Sequence, residues 1–305
     1  MFLNLKRALY NQSAGVKALI CEEDLKMRQF TLFSAILLLT VVFSIHDVFA
    51  GAPFVNLEGV GGVAFNPLAY LADSDGEGSH FKVGNTDIIG KPRFGAWYIS
   101  LDKVNVDWTT IGIADTFFKR LEVSYGYETI AQDNATTKRK NNIGTKLLLL
   151  PENSFDTKFL PAVSVGTIFK HTSNVGTGVD ASGQDYYLVA TKLITQLPRP
   201  VLLSGGVLST KGKTTGVFGY DKDRKATGFG NIDVILPWNL IAGFEYKQGA
   251  KYSDWKDANY WDTHLAWTPN KNLSLILAYV DAGDHKSTKV TGLGNGVVLS
   301  AQYAF

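Results

Sequence analysis

The side chains able to do chemistry in this chain are charged groups set at alternate positions of otherwise apolar stretches. Arg120, Glu122 and Glu128 share one parity. Lys146, Lys170 and Lys192, then Asp233, then Glu245 with Lys247, then Asp262 with His264, repeat the arrangement in later stretches. Successive side chains of a strand point to opposite faces, so each of these groups faces away from an apolar row. Both signs occur, which suits ion pairs bracing a wall better than a single-sign selectivity ring. Other groupings carry less. Asp262 and His264 share a face but have no third ligand at metal-binding spacing. Gly212-Lys-Thr214 lacks the upstream glycine and the following helix of a phosphate loop. His171-Thr-Ser173 sets a base near a hydroxyl, an arrangement that can activate a nucleophile, with Asn174 next to it. In a polar loop such a pair is ordinarily just solvated. Neither an enzyme nor a cofactor or metal site is expected.

The elements that must position these groups read as strands with one apolar face. The clearest are 120–128, with Leu121, Val123, Tyr125 and Tyr127 on that face; 142–149, with Ile143, Thr145, Leu147 and Leu149; and 186–194, with Tyr187, Val189, Thr191 and Leu193. Stretches 240–247, 260–267 and 273–281 repeat the pattern, and 93–101, 106–114, 159–170, 201–210 and 226–236 are less regular. The chain ends on a further strand with Val297, Leu299, Ala301, Tyr303 and Phe305 on one face. As an edge in water this strand would invite aggregation, whereas in a closed barrel it pairs with the first strand. Short linkers such as Pro237–Trp238 alternate with long polar ones such as Thr172–Gln184 and Gly283–Asn295, the rhythm of a membrane barrel with short turns at one end. Trp238, Trp261, Trp267, Tyr279 and Tyr303 fall near strand ends, where interfacial aromatics sit. The predicted fold is all-β: a transmembrane antiparallel β-barrel of about twelve strands over 93–305.

The N-terminal part reads differently. Met27-Arg28, the apolar run Phe30 to Ile45 and Val48-Phe49-Ala50 make the three parts of a secretory signal peptide over 27–50, with a mature start at Gly51. Residues 1–26 then read as an over-extended start, and they hold Cys21, the sole cysteine. The formal net charge is +2, and it becomes +1 once 1–50 is set aside, because five basic and four acidic residues leave with it. Nothing in that balance suggests a nucleic-acid partner. Residues 51–92 are expected to be a plug-like or periplasmic segment. Gly59, Gly61 and Gly62 permit close approach to a wall, Phe65 supplies apolar surface, and Asn66-Pro67 marks a turn. Inward aliphatic residues at Leu148, Ile168, Leu188, Ile235 and Ile276 would suit contact with such a plug or with an amphipathic ligand.

The terminus resembles the assembly signal of bacterial outer-membrane barrels, polar-x-Gly-x-x-aromatic-x-aromatic. Tyr303 and Phe305 match its aromatics, while Ser300 stands for the Gly and Val298 for the polar residue. The whole chain is similar to a family of uncharacterised proteobacterial outer-membrane proteins catalogued as domain of unknown function 3034. Leu57-Glu-Gly-Val-Gly-Gly62, Phe159-Leu-Pro-Ala-Val-Ser-Val-Gly166, Asp185-Tyr-Tyr-Leu-Val-Ala-Thr-Lys192 and Leu273-Ser-Leu-Ile-Leu-Ala-Tyr-Val-Asp281 carry that likeness. It implies a barrel in the outer membrane, with outer-membrane lipid and the barrel-assembly machinery as partners, and it brings no functional residues. Residues 57–67 also resemble the N-terminal hatch of long-chain fatty-acid transporters, and 171–174 resemble the His and Ser of outer-membrane phospholipases. The expected function is a narrow or gated channel or transporter for a small-molecule solute, apolar solutes included. The alternatives are a structural or surface-interaction barrel and, third, a lipid-rim hydrolase.

Overall fold

A computed structural model of the chain describes residues 54–73, 81–84, 86–102, 105–133, 135–283 and 291–305. The expectations for the signal peptide, the over-extended start and Cys21 fall outside these residues. Sixteen strands are present among the described residues. β1 (Phe54–Val55) and β2 (Gly61–Gly62) pair with each other, as do β3 (Phe81–Val83) and β4 (Thr86–Ile89). The remaining twelve form the main body: β5 (Arg93–Leu101), β6 (Val106–Phe117), β7 (Leu121–Gln132), β8 (Lys138–Leu150), β9 (Ala162–Thr172), β10 (Ser182–Ile194), β11 (Val201–Gly212), β12 (Tyr220–Leu236), β13 (Leu240–Lys247), β14 (Tyr260–Trp267), β15 (Leu273–Asp281) and β16 (Asn295–Ala304). Each pairs antiparallel with the next in sequence. The ring then closes where β16 pairs with β5, from Gly296↔Leu101 to Ala304↔Arg93. Closure leaves none of the twelve as an edge and satisfies the backbone from within, which is what a hydrocarbon environment requires.

The alternation read in the sequence sets two faces. Outward rows such as Val297, Leu299 and Tyr303, or Leu275, Leu277 and Tyr279, are exposed apolar side chains. Phe244, Trp261 and Tyr279 make a continuous aromatic row over β13–β15, with ring centroids 6.1 and 6.0 Å apart. Tight turns close one end of the body. Phe118 and Lys119 take positive φ between β6 and β7, and Trp238 and Asn239 do so between β12 and β13, matching the right-handed twist of the strands they join. Strands extend into sequence that reads as loop. β12 begins at Tyr220 rather than 226 and β8 at Lys138 rather than 142, because ladder pairing continues past the apolar alternation. The linker rhythm is correspondingly less regular than expected: 151–161 at the turn end is longer than 133–137 at the other.

One face assignment is reversed. In β10, Tyr187, Val189 and Thr191 are buried, while Tyr186 and Leu188 are exposed. Both faces of this strand are apolar, and a shift of one residue exchanges them, so periodicity alone does not fix the direction. The pairings Tyr187↔Gly166 and Val189↔Ser164 carry the inward parity over from β9.

Candidate functional site

The interior of the barrel is not empty. Residues 55–69, with Leu71 and Ala72, are buried within it. The path begins as a turn in which the Asn56 side-chain oxygen accepts the N–H groups of Glu58 and Val60, both at 3.0 Å, and Gly59 takes φ +89°. Wall glycines let this turn approach. A Cβ at Gly126 would lie 2.6 Å from the Glu58 carbonyl oxygen, and one at Gly112 would lie 3.0 Å from the Gly59 Cα. A glycine inside a strand often marks such an approach of another backbone.

Polar groups from around the wall hold this inner segment. Val55 donates its N–H to the Gln302 side chain at 3.0 Å, and its carbonyl accepts from the Trp97 indole at 2.7 Å. Glu122 accepts the N–H of Gly61 and of Ala72, each at 2.8 Å. It also pairs with Lys146 at 2.9 Å, and Lys146 donates onward to the carbonyls of Gly61 and Tyr70. Ala69 donates to Thr191 and accepts from Ser164. Glu245 accepts three consecutive N–H groups, those of Ala64 and Phe65 at 3.1 Å and of Asn66 at 2.7 Å. The Asn66 side chain then donates to the Tyr246 carbonyl at 2.9 Å. Apolar contacts fill the gaps: Val60 and Ala69 pack with Ile168, Tyr187 and Val189, while Leu57 and Phe65 join the cluster that includes Trp97 and Ile276.

Two charged groups sit farther along the lumen. His264 lies between Asp262 and Asp233, with a ring nitrogen 2.8 Å from each. Asn231 donates to Asp233. On the other side Glu58, carried by the inner segment, accepts from Lys140 at 3.0 Å and from Lys170. Lys140 also pairs with Glu128 at 2.9 Å and Lys170 with Asp185 at 2.6 Å. Burial alone would raise the Glu58 carboxyl, but Lys140, Lys170 and Lys247 outweigh it and hold the group well below the usual carboxylate range. At the loop end, the 3₁₀ turn Lys213–Gly216 folds inward. The Gly216 carbonyl accepts from Thr172, Asp257 accepts the Thr214 N–H and hydroxyl, and Val217 packs into the Leu57–Phe65 cluster. The lumen is therefore covered from this end as well as filled.

Of the residues expected to line the lumen, Glu122, Lys146, Lys170, Asp233, Glu245, Lys247, Asp262 and His264 are buried inside. Arg120 is not: it lies exposed in the turn before β7, bonded to the Leu148 carbonyl at 3.4 Å. Lys192 is not either. It shares the outward parity of β10 and pairs with Glu152 of a neighbouring turn at 2.9 Å. The expected segment residues Gly59, Gly61, Gly62, Phe65, Asn66 and Pro67 are all buried. Tyr303 and Phe305 meet edge to face at 5.0 Å on the outer surface. Ser173 and Asn174 bond the Arg139 and Thr137 carbonyls, while His171 faces Ser182 across the β9–β10 pair at 2.8 Å. Sequence reading missed Glu58, Lys140 and Asp185. Lys140 continues the inward parity of Lys146 two residues before the expected strand start, and Asp185 is hidden by the reversed face of β10. Asp262 and His264 do gain neighbours that spacing could not show, in Asp233 and Glu245, but no group of side chains suited to a metal ion exists among the described residues.

A closed twelve-strand ring with an apolar exterior and a charged, occupied interior defines the class: a membrane-type β-barrel. The chain belongs to the family described as protein of unknown function (DUF3034), whose pattern matches residues 52–302. No curated protein sequence matches it. Among solved structures it is similar to the NanC porin, at 6% identity and TM-score 0.50, covering 70% of this chain and 98% of that one. It is also similar to the KdgM porin, at 13% identity and TM-score 0.49, covering 70% and 99%. The Acinetobacter baumannii outer membrane protein Omp33 matches at 10% identity and TM-score 0.43, covering 70% and 98%. At these identities the likeness is one of fold.

Proposed function

We propose that this protein is a gated channel of a bacterial outer membrane, reached after export directed by residues 27–50, in which the inner segment acts as the plug. It passes a small solute and carries out no enzymatic reaction. The observation that carries this reading is how the interior is filled. A barrel needed only as a rigid post is most simply packed with apolar side chains. Here charged wall groups hold a separate stretch of backbone by hydrogen bonds, and burying such groups is costly unless every one is paired. Contacts of this kind can be exchanged for water, so the segment can leave without unfolding the wall. Twelve strands enclose more room than the eight that side chains alone can fill and less than an open sixteen-stranded pore. The inward aliphatic residues Ile168 and Ile276 are met by the segment itself, so they do not call for an apolar solute.

Planar-bilayer recording tests the reading. The full chain should conduct rarely, and the doubly substituted Glu122→Gln, Glu245→Gln chain should open about tenfold more often: the first change removes the charge that pairs with Lys146, the second puts an amide donor in place of an oxygen that accepts segment N–H groups, and each weakens the hold by roughly 1 kcal/mol or more. If folded protein of both kinds carries no current, the structural or surface-interaction barrel is the better reading. The loop-end cover formed by Lys213–Gly216 and Val217 is what would favour it.

A further inference from the structure

Glu58 is an acid borne by the removable part of the interior, and the wall around it is one acid short. Lys140 has its own wall carboxylate in Glu128, and Lys170 has Asp185. Lys247, at the loop end of β13, has no wall carboxylate within ion-pairing distance among the described residues. It donates instead to the Phe65 carbonyl of the inner segment, at 3.3 Å. Three wall cations therefore face two wall anions, and Glu58 supplies the third charge by bridging Lys140 and Lys170. Tyr187 lies in the same interior with its hydroxyl buried and unpartnered, a donor that Glu58 leaves unused. Lys140, Lys170 and Lys247 all stand near the loop-end termini of their strands, so the group faces the mouth covered by Val217 rather than the turn end.

We infer that Lys140, Lys170 and Lys247 form a monoanion site, filled by Glu58 when the channel is shut and taken by the carboxylate of a small acidic solute when it opens. The inference rests on the gated-channel reading and gives it a substrate class. Glu58 acts as a tethered stand-in for the solute. A carboxylate arriving from the mouth replaces its contacts one for one, leaves no lysine buried without a counter-charge, and frees the turn at 56–60 to withdraw. A neutral solute of the same size could not do this, because it would leave the wall with an uncompensated cation in a dry interior. The solute thus drives opening through its differential affinity for the segment-free state.

The test uses the protein carrying Phe65→Cys together with Cys21→Ser, so that position 65 holds the sole thiol of the chain. Thiol labelling reports the segment leaving, and bilayer current is recorded in parallel. Glucuronate and glucose are the probes. Glucuronate should speed labelling about tenfold and glucose should leave it unchanged. Adding Lys247→Met should abolish the glucuronate effect. Adding Glu58→Gln should give fast labelling with no solute present. Migration of unheated protein on a gel checks that each variant is folded. Equal effects of glucuronate and glucose, in protein that conducts, overturn the anion site and leave the channel reading standing. Glucuronate-specific labelling in protein that never conducts keeps the site and overturns the channel.

Discussion

Glu245 and Asn66 are 179 residues apart in sequence, yet the Glu245 carboxylate accepts the Asn66 N–H at 2.7 Å inside the barrel. The same carboxylate takes the N–H groups of Ala64 and Phe65, so one wall side chain caps three successive donors. Those donors belong to an irregular stretch that has no ladder partners to satisfy them, and a buried N–H without an acceptor costs roughly 1–3 kcal/mol. Glu245→Ala should therefore expose a cysteine at position 65 while leaving the barrel folded. The measured quantities are the labelling rate, expected to rise at least about tenfold, and the unfolding midpoint in urea, expected to fall only modestly. A labelling rate equal to wild type would mean that other contacts suffice to hold the segment.

Gly126 and Gly59 give the steric counterpart. Gly126→Ala places a methyl about 2.6 Å from the Glu58 carbonyl oxygen, and backbone on both sides prevents an easy adjustment. Overpacking of this kind costs about 1–3 kcal/mol. Since β6–β7 pairing does not involve that side chain, the cost should fall on the segment alone: faster labelling at position 65 with unchanged gel migration. Gly59→Ala should act similarly, through its positive φ as well as its contact.

These two residues also show where the sequence is legible and where it is not. The wall is readable because lipid imposes a strict period of two, and strands such as 240–247, 260–267 and 273–281 were delimited to the residue. Leu188 and Lys192 read as inward from the sequence because β10 is apolar on both faces, and only the pairing with β9 settles its direction. Arg120 failed for another reason: it extends the parity of Glu122 past the end of the ladder, into a turn where parity has no meaning. The docking of Glu58 does have one signal in the sequence. Gly95, Gly112 and Gly126 pair in register across β5–β7, a row of side-chain-free wall that anticipates another backbone.

Lys192 and Lys170 provide a paired control. Lys170 is buried between Glu58 and Asp185, and Lys192 lies on the outside near a turn. Lys170→Met removes one partner of a buried network and should cost about 3–5 kcal/mol, read as loss of segment docking. Lys192→Met breaks a partly solvated pair worth about 1 kcal/mol or less and should leave both docking and conductance unchanged. Equal effects would mean that the inward and outward assignments of β9 and β10 are in error.

Phe305 sits at the seam of the barrel, away from the inner segment. Its N–H donates to the Pro92 carbonyl at 3.2 Å, where the last strand meets the first, and its ring rests against Tyr303. Removing it takes away one closing contact and an aromatic pair worth about 0.5–1.5 kcal/mol beyond burial. The expected outcome is a lower yield of folded barrel, with normal labelling at position 65 in the fraction that does fold.

Acid gives the last test, and its sign follows from Glu58. The carboxyl is held below its ordinary value in the docked state, so undocking raises its proton affinity. Its contribution is then complete above the ordinary carboxylate value near 4.5 and is lost as pH falls below that, through the lower value of the docked state. Docking should accordingly be indifferent to pH between about 8 and 5 as far as Glu58 is concerned, and weaken only in stronger acid. Other carboxylates titrate in that range too, so the informative quantity is the difference between wild type and Glu58→Gln in the labelling rate at position 65. That difference should be large near neutrality and shrink steadily below about pH 4, because a protonated Glu58 and a glutamine are alike in charge. A difference that stays constant into strong acid would show that the three lysines do not hold an ionised Glu58, and the bridging role assigned to it would fall.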